Sequence, residues 1–380
     1  MRIKTRRAAD MRSCLKYNFV FVFTVAFISY SCSFCFAQSQ GGKNDGYTVT
    51  PEMNVRPSDR ETKDVSDTPD QRIRQQTTAG KTSATDKPWS VELYVKRYFV
   101  SHTSYEFGNP YPPFQEPLSR LEFPMNTWWA GGEFRRSFSR FSSGVEVSAT
   151  VPMESDLSFK DSDWSDTEYF WIKDIYSVAQ CRLQPSYMAR VDVDLKIGDW
   201  LRLPGWIDLR PVAGVRWQYL DFLAHNGVQM YPAPWSDLSP EPLPGNIIHF
   251  KQTYWHYFLG IKAVYNMEKH IRFPRLKVIG QLDWAYVDGN NSDEHLLRGD
   301  GGSRMTYERT RGGALHASLG LKAGLTENIS AGFEIDYLRI RSTGSHQWQH
   351  DVYGIDQSWD NGVKVWSDQA GLMMNVEYRF

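Results

Sequence analysis

The sequence predicts an all-β protein, a ten-stranded antiparallel transmembrane β-barrel with long extracellular loops. Many segments after residue 88 alternate apolar and polar residues with a period of two, and aromatic residues make up 14% of the chain. No stretch after residue 40 has the continuous apolar length of a transmembrane helix. An apolar outer face and a polar inner face are the pattern of strands in an outer-membrane barrel.

The first 37 residues are predicted to be an export signal peptide. Six Lys and Arg residues precede the apolar run 19–28, and Cys35 and Ala37 offer small side chains at the right positions for cleavage before Gln38. A lipoprotein anchored through Cys32 or Cys35 is the alternative. Neither cysteine follows the Leu and small-residue pattern that such anchors need.

Removal of the signal peptide changes the charge and the cysteine content. It holds six of the 43 Lys and Arg residues and one of the 44 Asp and Glu residues, so the mature chain carries a net charge of -6. This balance excludes a polyanion-binding protein, and no nucleic acid partner is expected. Only Cys181 of the four cysteines remains, so the mature chain has no internal disulfide and the pair Cys32 and Cys35 is not a metal or redox site.

Residues 38–87 are predicted to be a disordered N-terminal extension. They are rich in Gln, Thr, Asp, Lys, Gly and Ser and poor in apolar residues, so they cannot bury enough surface to offset the entropy lost on ordering. The folded part therefore spans residues 88–380, enough for one large barrel domain.

The alternation predicts ten strands, and the connections between them are alternately long and short. Short turns belong on the periplasmic side and long loops outside, so both chain ends should be periplasmic. The predicted strands cover residues 89–101, 119–136, 142–152, 186–198, 208–222, 248–265, 274–288, 310–324, 330–342 and 368–380.

A soluble β-sandwich is the alternative to a barrel, since its strands also alternate. A sandwich core is apolar where the two sheets meet, whereas here the second face carries charges on strand after strand, as a wet barrel interior would. The last strand places Leu372, Met374 and Val376 on one face, and its end at Phe380 resembles the C-terminal signal of bacterial outer-membrane proteins. Both observations favour the barrel.

Two polar clusters are the candidate catalytic residues. Asp161 and Asp163 follow the third predicted strand, and Asp293 and His295 follow the seventh, four strands further round a closed ring of ten, so they should face each other across the mouth. A histidine beside a carboxylate can take a proton from water at neutral pH, and a carboxylate pair opposite can hold that water. The alternative is that acids in exposed loops are only solvated charges.

The chain resembles the omptins, outer-membrane endopeptidases of Gram-negative bacteria, over essentially the whole region from Trp89 to Phe380. Residues 161–166 resemble the aspartate-pair motif of that family, and residues 293–295 resemble its aspartate and histidine motif. Further blocks of resemblance are residues 119–123, 250–252 and 304–307. The resemblance implies a vase-shaped barrel with an extracellular active-site groove.

The resemblance also implies roles for the four residues. Asp293 would orient His295, which would act as the general base on a water held between His295 and Asp161. Asp163 would support Asp161 and the developing tetrahedral intermediate. The water would attack the peptide directly, with no covalent acyl enzyme, no cofactor and no metal.

Substrate specificity is where the chain departs from this family, whose familiar members use two acids to bind basic residues beside the cleaved bond. One of these acids aligns with Glu106 and the other with Asn291, which is uncharged. A hydrogen bond to a charged group contributes about 1.5 to 3 kcal/mol and a neutral one about 0.5 to 1.5 kcal/mol. The sequence therefore predicts a relaxed preference for basic residues.

A second departure concerns lipopolysaccharide, which the family typically needs for activity. Polar and charged family positions are here Val215, Trp217 and Tyr219 on the fifth predicted strand and Thr253 on the sixth. Either the lipid binds elsewhere or the requirement differs, and the aromatic residues also suit the girdle of any barrel. The expected partners are outer-membrane lipid, lipopolysaccharide and exposed peptides or proteins, and a monomer is expected.

Two other functions remain open at this point. A catalytically silent barrel that serves as an adhesin or surface-binding protein is the principal alternative, because a fold alone does not determine function. The tripeptide 298–300, Arg-Gly-Asp, is too short to indicate an adhesin. A general porin is disfavoured, because ten strands leave little lumen once inward side chains fill it.

Overall fold

The computed structural model describes residues 87–111, 114–269, 275–298 and 300–380, all within one compact unit, Thr77–Phe380. The predicted signal peptide and residues 38–86 of the predicted extension lie outside the described residues. Across the described ranges, no helix is long and apolar enough to cross a membrane.

Fourteen β-strands and one 3-10 turn, Met267–Lys269, make up the regular structure of the described residues. In chain order the strands are β1 Trp89–Phe107, β2 Ser119–Pro124, β3 Trp128–Ser137, β4 Phe141–Thr150, β5 Met153–Glu154, β6 Phe159–Asp163, β7 Ile175–Leu183, β8 Tyr187–Leu195, β9 Ile207–Met230, β10 Glu241–Asn266, β11 Leu276–His295, β12 Arg304–Gly324, β13 Ile329–His350 and β14 Ile355–Arg379.

The strands form one closed antiparallel sheet. Each strand pairs with its neighbours round the ring, and β14 pairs with β1 along most of its length to close it. The prediction of an all-β antiparallel barrel is thereby confirmed. A closed sheet has no free edge, which is the condition for crossing a lipid bilayer with strands.

The number of strands differs from the prediction, fourteen instead of ten. The chain still makes ten passes, but three of them are interrupted: β2 and β3 both pair with β1, β4 to β6 share one pass, and β7 and β8 share the next. Strands β5 to β7 lie in a segment that the sequence predicted to be a long loop. Strands β9 to β14 likewise extend beyond the predicted limits at the end where the two polar clusters lie.

The outward face explains why these extensions escaped prediction. On β11 the outward side chains Leu282, Trp284 and Tyr286 are 50%, 58% and 40% exposed, and Asp288 follows them. The same change from apolar to charged side chains occurs on β13 after Tyr337. Above the apolar band the outer face meets water instead of lipid, so the alternation that marks a membrane strand disappears while the strand continues.

The interior has two levels. Within the apolar band it holds a cavity of about 930 Å³ whose walls carry ion pairs, including Lys96 with Asp336 at 2.8 Å and Arg190 with Glu146 at 2.8 Å. This is the charged interior that the sequence predicted. Above it the interior is filled by an apolar core, in which Phe123 and Phe250 stack with ring centroids 4.3 Å apart. Side chains thus fill the barrel directly beneath the polar clusters.

A bulge in β1 changes which of its side chains face inward. The register of β1 against β14 shifts by one residue between Phe99 and His102, and Val100 has a positive φ of 50°. Below the bulge, Tyr94 and Tyr98 face the interior; above it, odd-numbered residues do. A bulge adds one residue to one strand, so it reverses the inward and outward positions of everything beyond it.

Candidate functional site

Asp293 and His295 lie within β11 rather than in the loop that follows it. Alternation places both side chains on the inward face, as predicted, and both are buried. His295 Nε2 lies 3.2 Å from Asp293 Oδ2. A carboxylate at this distance can fix the tautomer of the imidazole and stabilise its protonated form. Both residues lie beyond the apolar band.

Tyr105 of β1 completes the surroundings of Asp293. Its hydroxyl donates a hydrogen bond to Asp293 Oδ2, and its ring stacks on Phe250 with centroids 5.3 Å apart. Burial raises the pKa of Tyr105 well above its ordinary value, and the Asp293 carboxylate adds to the shift. The phenol therefore stays neutral and remains a hydrogen-bond donor to a carboxylate that is itself inaccessible to solvent.

Asp161 and Asp163 lie on β6, again within a strand and not in the loop predicted there. β6 pairs with β2 and with β7, and Asp161 is directly opposite Leu121 and Ser177. Both carboxylates face the interior. Asp161 is 5% exposed, and its Oδ1 has no hydrogen-bond partner among the described residues.

Asp161 and His295 line one small cavity from opposite walls of the barrel. The cavity measures about 100 Å³, and Ser177, Gln229 and Ile248 are among its other lining residues. A polar site needs only about 10 to 15 Å³ to hold a water, so several fit between the aspartate and the histidine. The two polar clusters, 132 positions apart in the chain, thus meet in one place.

The pKa of Asp161 depends on charged residues of both walls of the cavity. Burial raises its pKa well above the ordinary value, and the neighbouring Asp163 carboxylate raises it further. The guanidinium of Arg298 opposes this shift. Arg298 follows β11 on the histidine wall, and its Nη1 lies 4.0 Å from Asp163 Oδ2, so one cation is shared across the cleft.

The two predicted specificity residues are placed differently. Asn291 lies on the inward face of β11, two residues below Asp293, and is 6% exposed. Glu106 does not join the site, because the bulge in β1 turns it to the opposite face from Tyr105. Its carboxylate pairs instead with Arg120, whose Nε lies 2.8 Å from Glu106 Oε2.

Four residues near the site were not identified from the sequence. Tyr105 and Arg298 contact the clusters as described, and Glu308 and His346 lie across β12 and β13 from Asn291. Arg298 and Glu308 are close to the recognised motifs along the chain, which is the one hint available. His346 is brought in by the register of β11, β12 and β13, whereas Tyr105 of β1 reaches Asp293 across the interior of the barrel.

Trp217 and Tyr219, which replace polar or charged residues of the resembled family, form an aromatic patch with a neighbouring tyrosine. Trp217 stacks with Tyr219 at 6.4 Å, and Tyr219 stacks with Tyr187 at the same distance. No group of three His, Cys, Asp or Glu side chains in the described part of the chain is arranged to hold a metal ion.

Comparison with solved structures identifies the fold. The outer membrane protease OmpT of Escherichia coli matches over 79% of this chain and 99% of its own, with a TM-score of 0.67 and 15% sequence identity. The chain has the fold of an outer-membrane β-barrel. The outer membrane protein OprG of Pseudomonas aeruginosa and the translocator domain of the autotransporter NalP of Neisseria meningitidis both match with a TM-score of 0.31, at 12% and 10% identity, over 77% of this chain and 97% and 89% of their own. No protein-family model and no curated protein sequence matches the chain.

Proposed function

We propose that this barrel is an outer-membrane endopeptidase of the omptin type, which hydrolyses exposed peptide bonds with a water activated by His295. The observation that carries the proposal is the small cavity shared by Asp161 and His295, with Asp293 3.2 Å behind the histidine. The similarity of fold to OmpT supports it.

Each residue of the site has a distinct role in this proposal. With Nε2 turned to Asp293, Nδ1 of His295 is the nitrogen left to take a proton from water, and the Asp293 carboxylate stabilises the imidazolium that forms. Asp161, with an unpartnered oxygen, holds and polarises the water. Asp163 and Arg298 balance the charge of Asp161 and adjoin the position where the tetrahedral intermediate would develop. General base catalysis of this kind contributes a factor of about 10² to 10⁴ to the rate.

Orientation and partners follow from the same proposal. The cavity lies beyond the apolar band at the end with the longer connections, which in outer-membrane barrels is the extracellular end. Substrates would then be peptides or proteins at the cell surface, and lipopolysaccharide would surround the band there.

The test is cleavage by the refolded chain. The chain is refolded in detergent with and without lipopolysaccharide, folding is checked by the altered gel mobility of unheated samples, and cleavage of a peptide library is followed by mass spectrometry. His295→Ala and Asp161→Ala should each abolish cleavage. Glu294→Gln, on the outward face of the same strand, is the matched control and should leave cleavage unchanged.

Two results would contradict the proposal. Cleavage that persists in both alanine variants would place the active site elsewhere. No cleavage by the folded wild-type chain under any condition would favour a silent surface-binding barrel instead.

A further inference from the structure

Four large aromatic side chains are exposed together at the end of the barrel where the polar clusters lie. Tyr169, Phe170 and Trp171 belong to the connection between β6 and β7, and Trp235 belongs to the connection between β9 and β10. Their exposures are 38%, 50%, 63% and 46%. We call these four residues the loop aromatic cluster.

The rings of the loop aromatic cluster contact one another across the two connections. Tyr169 lies against Trp235 with ring centroids 4.6 Å apart, and the Trp171 ring lies 5.9 Å from Tyr169 and 5.0 Å from Phe170. Single exposed aromatic residues are ordinary on a protein surface, whereas a contiguous exposed group marks a binding site. The cluster lies further from the apolar band than Asp161, so lipid tails do not cover it.

Hydrogen bonds order the connection between β6 and β7. Asp166 Oδ1 accepts hydrogen bonds from the backbone N–H groups of Glu168 and Tyr169, at 2.8 and 2.9 Å. At the other end of the connection, the Asp174 backbone N–H donates to Asp163 O at 3.1 Å. A connection that is ordered beforehand loses less entropy when it binds a partner. The local structure thus favours binding at these rings.

The loop aromatic cluster continues the walls of the small cavity. Asp161 lies on β6, and the first connection begins after Asp163, two residues further on. Gln229 lines the cavity from β9, and the second connection begins after Met230. Two residues of strand span about 7 Å. An extended peptide with its cleaved bond at the cavity would therefore reach the cluster with its third residue or a later one.

The charges around the cluster favour a peptide over a membrane surface. The two connections carry four acids and one cation; the acids are Asp166, Glu168, Asp174 and Asp237, and the cation is Lys173. This balance repels the anionic headgroups of a lipid surface. It does not repel an uncharged apolar side chain, to which the rings of Tyr and Trp offer a large and stiff contact area.

We propose that the loop aromatic cluster is a substrate subsite that binds an apolar side chain at the third residue or beyond, counted from the cleaved bond. This inference rests on the proposed peptidase function. Trp171 and Trp235 are the main contact residues, because they provide the largest rings, one from each connection. The subsite makes cleavage depend on the sequence that flanks the cleaved bond at a distance from it.

The test uses one cleaved peptide in which a single phenylalanine or serine occupies, in turn, each position from the second to the eighth on either side of the cleaved bond. Partial burial of one aromatic side chain corresponds to about a 10-fold ratio of kcat/KM between the two peptides. We expect this ratio at a position three or more residues from the cleaved bond. In the double variant Trp171→Ala with Trp235→Ala it should fall to about one.

Two further variants serve as controls, each with the gel mobility of a folded barrel. Tyr353→Ala removes a ring that is 64% exposed in the connection between β13 and β14, and it should keep the wild-type ratio. Trp171→Phe with Trp235→Phe keeps a ring at both positions, so its ratio should exceed that of the double alanine variant.

A binding measurement distinguishes failure of the subsite from failure of the proposed function. Fluorescently labelled phenylalanine and serine peptides are titrated against His295→Ala, with and without the two alanine substitutions, and anisotropy gives Kd. A Kd about 10-fold lower for a phenylalanine peptide, lost with the two substitutions, supports binding of an apolar side chain at the cluster even if the wild-type chain cleaves nothing.

Three outcomes would overturn the subsite. The first is a phenylalanine-to-serine ratio near one at every position, in cleavage and in binding. In that case, quenching of tryptophan fluorescence by the core oligosaccharide of lipopolysaccharide would assign the cluster to a carbohydrate. The second is an unchanged ratio in the folded double alanine variant. The third is an equal loss of the ratio in Tyr353→Ala.

Discussion

Replacement of Asp293 by asparagine is the sharpest test of the catalytic geometry. The substitution preserves the size and shape of the side chain and removes its charge. Asp293 is fully buried and accepts a hydrogen bond from the Tyr105 hydroxyl, and its Oδ2 lies 3.2 Å from His295 Nε2. We expect Asp293→Asn to fold and to lose most of its activity.

The expected loss follows from the distance between Asp293 and His295. Two unit charges 3.2 Å apart attract each other by about 5 kcal/mol at an effective dielectric constant near 20. At about 1.4 kcal/mol per tenfold in rate, this sets an upper limit near 10⁴-fold. The asparagine oxygen can still accept a hydrogen bond from the imidazole, so we expect a loss of about 10² to 10³, within the range for general base catalysis.

The loss should appear in kcat and not in KM. The imidazolium exists only after His295 has taken the proton, so the interaction stabilises the transition state and not the bound substrate. The assay is steady-state cleavage of one library-derived peptide by wild type, Asp293→Asn and Glu294→Gln, each with the gel mobility of a folded barrel. A kcat for Asp293→Asn within fivefold of wild type, or a change confined to KM, would refute the assigned role of Asp293.

Four further outcomes are expected. Tyr105→Phe removes one hydrogen bond to the buried Asp293 carboxylate, so kcat should fall by about 10-fold, given about 1.5 kcal/mol for such a bond; an unchanged kcat would make Tyr105 a packing residue only. Asp161→Asn should raise stability to urea at pH 7 and not at pH 3, because burial raises the pKa of Asp161 in the folded state. The stability contributed by protonated Asp161 is fully present below the ordinary pKa of 3.8 and is lost as the pH rises through the raised pKa. Equal urea midpoints for the variant and the wild type at both pH values would contradict this prediction. Arg298→Gln removes the cation that holds down the pKa of Asp161, so the acidic limb of the pH-rate profile should move to higher pH, and a shift to lower pH would exclude ionised Asp161 as the working form. Burial raises the pKa of the Cys181 thiol, so it should resist maleimide in the folded chain and react in urea, as gel-shift labelling would show.

Much of the fold was predictable because period-two alternation is a local property. It identified the barrel, the inward face of β11 and therefore the orientation of Asp293 and His295. It failed where the strands leave the apolar band, because the outer face of β6 and of the upper parts of β9 to β14 meets water and the pattern of apolar residues outside and polar residues inside ends there. The loops predicted there are strands, and the polar clusters are held rigidly within them.

The site was predictable only as far as its two motifs. The case of Glu106 shows the limit: one extra residue in β1 near Val100 reverses the faces of the strand beyond it. Nothing in the local sequence marks that bulge. Because of the bulge, Tyr105 faces inward and Glu106 faces outward, where it pairs with Arg120. A prediction by counting from a motif cannot detect such a shift.

The sequence by itself determined the class of fold, the parity of each strand within the apolar band and the chemistry of the four polar residues. Only the tertiary structure decided which side chains meet: Asp161 with His295 across the cavity, Arg298 with Asp163, and Glu308 with Asn291 across adjacent strands. The physical reason is that alternation depends on neighbours along the chain, whereas register depends on hydrogen bonds between strands that are far apart in sequence.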